Sequence, residues 1–450
     1  LVYSKHPVRV GQSLTRTGKN FMIPLGDFLL GQVVDPLGML LLPDQLKTSS
    51  LTTEVDVSFW ERLLIEKSEG EFEIDVPVRP ILDRKEIRRQ LHTGITVVDT
   101  LLPLGHGQRE VIAGDRKTGK TSFLLSTMKT QVESGSLVIY AAIGKRMIEV
   151  DLIRDFIVRQ GMLSKMVMVV ATSSDSPSLI YQAPFMAMTL AEFFCNKGRD
   201  VLVVLDDLTT HAKFYREINL LAHQFPGRDS YPGDVFFTHA RLLERAGNYI
   251  NAQGGESAIT CLPVAETQSG DLSDYIVSNL IGITDGHILF DTNEFVKGRR
   301  PAINVALSVT RVGKQTQSIL RQELNRQITA FLSQYEQSES YARFGSELTK
   351  EVQKVIDQGV LMYGLFSQDV DEIVDKNVQI LLIVMVLFDL IGSEHLSLIT
   401  NIRRCVVTLY KGDSRIKNMI DTAVEVDDIN RLINNVKSIR NEILKLCQLT

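Results

Sequence analysis

With 450 residues, 44% of them hydrophobic and 23% charged, the chain has room for about two or three domains with cores of their own; neither disorder nor a fibrous repeat fits. A formal charge of −5 removes the electrostatic case for nucleic acid as a main partner. The four cysteines, Cys195, Cys261, Cys405 and Cys447, are far apart, form no metal-type pair and suit reduced, buried thiols in a cytosolic or organelle-matrix protein.

Residues 1–45 alternate short apolar stretches with Gly and Pro, most clearly at 28–38, and predict part of a small β-domain. Residues 46–80 change character: a Thr- and Ser-rich lead runs into 55–60, ending on Trp60, and then into a charged stretch at 66–75. This reads as an insertion or linker with some structure of its own around Trp60. The chain opens at Leu1 without a Met, so further residues, any targeting segment among them, are expected ahead of it.

From 81 to 313 strands alternate with helices, which predicts an α/β domain with a parallel sheet covered on both faces. Its organising stretch is Gly114-Asp115-Arg116-Lys117-Thr118-Gly119-Lys120-Thr121, followed by Ser122. Two glycines separated by four residues and followed by Lys and Thr have the form of a P-loop. Glycines let successive backbone N–H groups curl toward one anion, Lys120 reaches outer phosphates, and the Thr121 hydroxyl suits the shell of a magnesium ion. An apolar strand at 111–113 leads in, and a helix at 122–129 leads out. Strand, glycine loop and helix N-terminus together make an anion site.

Further strands are expected at 137–143, 166–170, 201–205 and 259–264, with helices at 178–196 and 212–224. The strand at 201–205 ends in Asp206 and Asp207. An acid at such a tip holds magnesium, usually through water, and Asp206 is assigned that role. Asp207 is a helix cap, a supporting group or a base. Hydrolysis needs a group that polarises water, and the tip of the strand after the P-loop helix is the natural place for it. That tip reads Ile143-Gly144-Lys145-Arg146, basic and without a carboxylate, so hydrolysis is disfavoured. A last strand, at 304–310, delivers Arg311.

Residues 314–450 read as a separate α-helical domain. The apolar run at 380–388 is too short to cross a bilayer and predicts a buried helix. Ile429, Leu432, Val436, Ile439, Ile443 and Leu446 recur at spacings of three and four, a coiled-coil-like stripe that packs on its own domain or on a partner helix.

Several ordered motifs resemble the α subunit of F-type ATP synthases. They are GDRKTGKT at 114–121, LDDLTTHA at 205–212, PGRDSYPGD at 226–234, HARLLERA at 239–246, ETQSGD at 266–271, GRRPAIN at 298–304, SVTRVG at 308–313 and FGSEL at 344–348. That resemblance, strongest from about Val33 to Val360, implies an N-terminal β-barrel, a RecA-like P-loop nucleotide-binding domain and a C-terminal α-helical domain. It implies three α and three β subunits alternating around a γ-type central stalk, with peripheral-stalk or specialised subunits besides. It implies ATP or ADP with Mg2+ at a non-catalytic site and catalysis on the β-type partner. Lys145 stands where β carries its water-activating Glu and α usually has Gln. Arg311 falls on the arginine that reaches into the β site in trans. Arg116, Lys117, Lys120 and Thr121 fall on phosphate-contact positions, Arg300 and Pro301 near the base. The complex would lie on the cytoplasmic face of a membrane, or the equivalent organelle-matrix side, touching the membrane only indirectly.

Departures from the family pattern are Lys117 in place of Gln, the missing part of the barrel, the insertion and the heptad-like tail. They imply a diverged version: a rotary motor without an ordinary proton channel, such as those that drive gliding in wall-less bacteria, or a synthase of a divergent lineage. Two other readings stand beside it. One is a self-sufficient homohexameric P-loop ATPase of the secretion or translocase type, against which Lys145 speaks. The other is a structural scaffold in which Arg311 is idle.

Overall fold

The computed structural model describes residues 21–41, 67–251, 253–343, 349–392 and 398–447, with isolated positions before them. Trp60 and the FGSEL motif lie outside the described residues. The strands are, in chain order, β1 (Met22–Leu25), β2 (Val33–Val34), β3 (Gly70–Glu73), β4 (Arg84–Lys85), β5 (Gln90–Leu91), β6 (Leu104–Gly105), β7 (Glu110–Gly114), β8 (Leu137–Lys145), β9 (Met166–Thr172), β10 (Val201–Asp206), β11 (Gly247–Ile250), β12 (Glu256–Glu266), β13 (Gly286–Phe290) and β14 (Val309–Thr310).

Two compact units divide the chain. The first comprises Leu1–Ile87, Gly105–Arg116 and Gln131–Ile288; the second comprises Arg88–Leu104, Lys117–Thr130 and Leu289–Thr450. The first unit is built on a sheet ordered β13-β7-β12-β10-β8-β9-β2. The pairs from β7 through β9 to β2 are parallel, and β11 and β4 add antiparallel partners beside β12. Parallel strands covered on both faces must be apolar throughout, and every residue of β7, β9 and β10 is buried. The 178–196 prediction corresponds to the helix Pro177–Asn196, which packs on β8, β9 and β10 and is buried from Ser178 to Cys195 apart from Tyr181. Its proline at the first turn suits a position whose N–H has no helical acceptor.

Residues 22–41 are short strands and turns, as the Gly/Pro spacing predicts. Asp35 Oδ1 accepts the amides of Leu37 and Met39, both at 2.9 Å, and so closes the turn that follows β2. β1 pairs antiparallel with β3, so residues 70–73 share a sheet with 22–25. Arg245, 1% exposed, ties this region to the rest of the unit. It grips Glu192 with two hydrogen bonds, at 3.0 and 2.6 Å, and donates to the Ile74 carbonyl at 2.9 Å.

The second unit is mainly helical, as expected from 314 onward. Its helices Ile319–Arg343, Lys350–Phe366, Lys376–Leu387, Ile399–Gly412, Ser414–Val424 and Ile429–Leu446 begin mostly at side-chain caps: Thr349, Asp375, Asp413 and Asp428 each accept an amide of their own first turn. The predicted buried helix at 380–388 is Lys376–Leu387, solvent-shielded from Asn377 to Val386. Of the terminal stripe, Leu432, Val436 and Ile443 are buried and Leu446 is exposed, and the helix lies against Lys376–Leu387 and Ser414–Val424 of its own domain.

Two expectations need correction. Residues 304–310 are not one strand; only Val309–Thr310 are extended. Asn304 diverts the chain into a turn, its Oδ1 accepting the Leu307 amide at 3.1 Å and its carbonyl the Ser308 hydroxyl at 2.6 Å. Nor are all four cysteines reduced. Cys405 and Cys447 are disulfide-bonded across 42 residues, while Cys195 and Cys261 are free and buried.

Candidate nucleotide site

In the first unit four strand ends converge. β7 ends at Gly114, opposite Glu266 of β12; β12 pairs with β10, and β10 with β8, Asp206 standing opposite Ala142. Parallel strands share a direction, so Asp115, Glu266, Asp206 and Lys145 come to the same edge of the sheet, the carboxyl edge where ligands of α/β sheets bind. β12 lies between the P-loop strand and the strand that carries Asp206.

Each of these residues is held. Asp115 Oδ1 accepts the Thr267 hydroxyl at 2.6 Å and the Gly270 amide at 2.9 Å, which pins the start of the loop to the segment after β12. Arg116 Nε donates to Glu266 Oε2 at 2.8 Å, and that hydrogen bond raises the guanidinium's pKa; the side chain is otherwise exposed.

Lys145 owes its direction to a bulge. Side chains alternate along a strand, so Tyr140 and Lys145, five apart, would face opposite ways. The β8–β9 register slips between Ile143 and Lys145, and Gly144 takes φ 65° there, with no room for a Cβ against Thr210 and Phe214. Tyr140 and Lys145 therefore meet on one carboxylate. Lys145 Nζ lies 3.0 Å from Asp206 Oδ1, and the Tyr140 hydroxyl donates to Oδ2 at 2.7 Å. Burial works against the Lys145 ammonium, but Asp206, with Asp207 beside it, more than offsets this and lifts its pKa above the ordinary lysine value. Burial, and next the same carboxylate, pushes the Tyr140 phenol well up, so it stays a donor.

Asp207 is turned to a different task. Its Oδ1 accepts the Thr210 amide at 2.6 Å and its Oδ2 the Thr210 hydroxyl at 3.0 Å, capping the helix Leu208–Leu221. The helix thus begins four residues before the predicted 212. Burial, then the charges of Asp206 and Glu266, pushes the Asp207 carboxyl up to about 6.

In the second unit, Lys117–Thr121 complete the loop. Gly114 at φ 149° and Gly119 at φ 102° use backbone conformations that favour glycine, and Lys117 itself sits at φ 65°. Phe123 donates the first helical bond, to the Gly119 carbonyl, so the helix Lys120–Ser134 starts at Lys120 and extends beyond the predicted 122–129. Its first turn holds no acidic side chain, so nothing within that turn offsets the positive end of the dipole. Thr118 and Lys120 are buried, and Thr121 and Ser122 are exposed.

Arg300 and Pro301 line a cavity of about 430 Å³ with Asn304, Ser333, Tyr363 and Phe366. Arg300 stacks 3.6 Å over the Phe295 ring and donates to the Phe295 carbonyl at 2.8 Å. Arg311 is exposed, on a segment held at both sides: the buried Thr310 donates its hydroxyl to the Pro103 carbonyl at 3.0 Å, and Gly313 presses so close to that carbonyl that a Cβ would lie 1.6 Å from it.

Sequence reasoning missed Tyr140 and the pairing of Lys145 with Asp206. The signal for Tyr140 was a lone hydroxyl in the apolar strand at 137–143, because a buried phenol needs a partner.

The family described as ATP synthase alpha/beta family, nucleotide-binding domain, matches residues 94–310, and the ATP synthase alpha/beta chain, C terminal domain, matches 315–441. Relatives named ATP synthase subunit alpha are similar over most of the chain. That of Clostridium botulinum is 38% identical over 82% of this chain and 69% of its own length. That of Caldanaerobacter subterraneus subsp. tengcongensis is 39% identical over 80% and 67%. That of Acholeplasma laidlawii is 38% identical over 83% and 70%. A P-loop at the carboxyl edge of a parallel sheet, a helical C-terminal domain and these likenesses agree: the chain belongs to the ATP synthase alpha/beta family, among its alpha subunits.

Proposed function

We propose that the chain is the nucleotide-holding, non-hydrolysing alpha-type subunit of a rotary F1-type ATPase or ATP synthase, and that it completes the active site of a beta-type neighbour with Arg311. One observation carries this reading: the tip of β8 offers an ammonium, tied to Asp206 at 3.0 Å, where hydrolysis needs a group that takes or orients a proton of water. The two carboxylates at the end of β10 have partners of their own. Asp206 is engaged by Lys145 and Tyr140, and Asp207 by Thr210.

Binding follows from the loop. Backbone N–H groups of 114–121 and the helix start cradle the phosphates of ATP or ADP, Lys120 neutralises them, Arg116, Lys117, Thr118 and Ser122 flank them, and Arg300 with Pro301 borders the base. Magnesium, when bound, would spread phosphate charge; the exposed Thr121 hydroxyl fits it, and Asp206, already holding Lys145 and Tyr140, would reach it through water. Arg311, exposed on its pinned segment, reaches into the partner's site and stabilises charge that develops as the partner cleaves its own nucleotide.

The setting is an alternating α3β3 ring around a gamma-type stalk, with peripheral-stalk or specialised subunits, held to a membrane only through other subunits. Among the described residues no helix is long and apolar enough to cross a membrane. ATP turnover by the purified chain tests the reading. A tightly bound nucleotide with negligible release of phosphate supports it; brisk turnover by a homomer supports the self-sufficient hexameric ATPase instead.

A further inference from the structure

We propose that Arg403, on the helix Ile399–Gly412, is a positioning residue for nucleotide binding: it fixes the linker 367–375, which braces both the helix of the phosphate loop and the backbone at Arg300. The inference rests on the nucleotide-binding reading above, and the contacts it uses all lie within the second unit.

The linker joins the helices Lys350–Phe366 and Lys376–Leu387 and holds no helix or strand of its own. Such a stretch keeps one shape only where its polar groups find partners. On one side it meets the loop's own helix, Lys120–Ser134. The Ser126 hydroxyl reaches the Val370 carbonyl, and Lys129 Nζ donates to the Asp371 carbonyl at 3.3 Å. Ser126 lies about 9 Å along the helix axis from Lys120, and a helix is stiff over that length. Where 370 and 371 stand therefore bears on where Lys120 and Thr121 stand. On another side the Gln368 amide donates to the Arg300 carbonyl at 2.8 Å, and the Val374 amide to the Gly94 carbonyl at 3.1 Å. The linker thus touches both parts assigned to the nucleotide, the loop helix and the Arg300–Pro301 pair.

Arg403 holds this linker in place. It is 1% exposed, and its fork closes on Glu372 with two bonds, Nε to Oε1 at 2.7 Å and Nη2 to Oε2 at 2.8 Å. Nη1 donates to the carbonyls of Gly364 and Leu365, both at 3.0 Å, in the last turn of the preceding helix, where carbonyls lack helical partners. Arg404 adds an ion pair to Asp369. One guanidinium therefore ties the linker to the end of the helix it leaves. A buried pair of this kind is weak evidence for stability, since apolar residues of like volume often replace it at little cost. What they cannot replace is direction, because a planar fork of N–H donors sets angle as well as distance.

The test is equilibrium binding of a fluorescent ATP analogue to the purified full chain, beside urea denaturation. In the double variant Arg403→Met, Glu372→Met the apolar pair should keep the denaturation midpoint near wild type, while Kd weakens by about tenfold or more. Arg403→Lys keeps a positive charge on Glu372 but cannot hold both carbonyls as well, and should weaken Kd by about tenfold with the midpoint little moved. A wild-type Kd in either folded variant overturns the inference, as does a Kd that weakens only where the midpoint falls with it. Should neither variant fold, hydrogen exchange of the wild type decides. Saturating analogue should slow the amides of Ile399–Gly412 by about threefold or more, and no change there overturns the inference. A wild-type chain that binds no analogue overturns the nucleotide reading itself, and this inference with it.

Discussion

Asp207 caps its helix through Thr210, accepting the amide at 2.6 Å and the hydroxyl at 3.0 Å, while burial and the charges of Asp206 and Glu266 push its pKa up to about 6 from an ordinary 3.8. The folded state therefore binds this proton more tightly than the unfolded chain does. The protonated carboxyl's contribution to stability is fully present below about pH 4 and is lost as the pH rises through about 6. Asp207→Asn keeps the cap and has no proton to lose. Between about pH 5 and about pH 7.5, wild type should lose about 1 kcal/mol more unfolding free energy than the Asn variant, read by urea denaturation. Parallel pH profiles would contradict the assignment.

Arg245 and Glu192 make a buried pair whose removal from one side should be severe. Arg245→Met leaves the Glu192 carboxylate, together with the Ile74 carbonyl and Thr189 hydroxyl that the guanidinium also reaches, without that donor. A loss of about 3–5 kcal/mol is expected, with much of it recovered in the Arg245→Met, Glu192→Met double variant. Denaturant midpoints of the three proteins measure it. If the double variant is as unstable as the single one, the unpaired charge is not the cause.

The thiols make a counting prediction. Cys405 and Cys447 are bonded, and Cys195 and Cys261 are buried, so the native chain without reductant should resist maleimide. Unfolding should expose two reactive thiols, and unfolding with reductant four. Mass spectrometry of the labelled chain reads the count directly.

Much of this arrangement was legible because local pattern carries it. The P-loop, the apolar runs that became β8, β9 and β10, and the helix Pro177–Asn196 all follow from composition and period over short windows. What escaped depends on register or on long-range partners. Lys145 meets Asp206 only because a one-residue slip at Gly144 reverses the alternation, and no periodicity signals that slip. The apolar residues between 304 and 310 look like a strand, yet Asn304 competes for the backbone with its own side chain and makes a turn. Cys405 and Cys447 sit 42 residues apart, and their pairing follows from how two helices fold back rather than from spacing. Cap residues fell between these cases: Asp207 was a candidate cap from its position alone, but only the structure chooses between cap and base.

The central claim is that this chain holds a nucleotide it does not cleave and lends a guanidinium to its neighbour. The decisive measurement is steady-state ATP hydrolysis by the ring reconstituted from this chain and its beta-type partner, carrying either Arg311 or Arg311→Ala. The account predicts that kcat falls by about a thousandfold or more in the variant ring. A variant ring that hydrolyses ATP at the wild-type rate would contradict it.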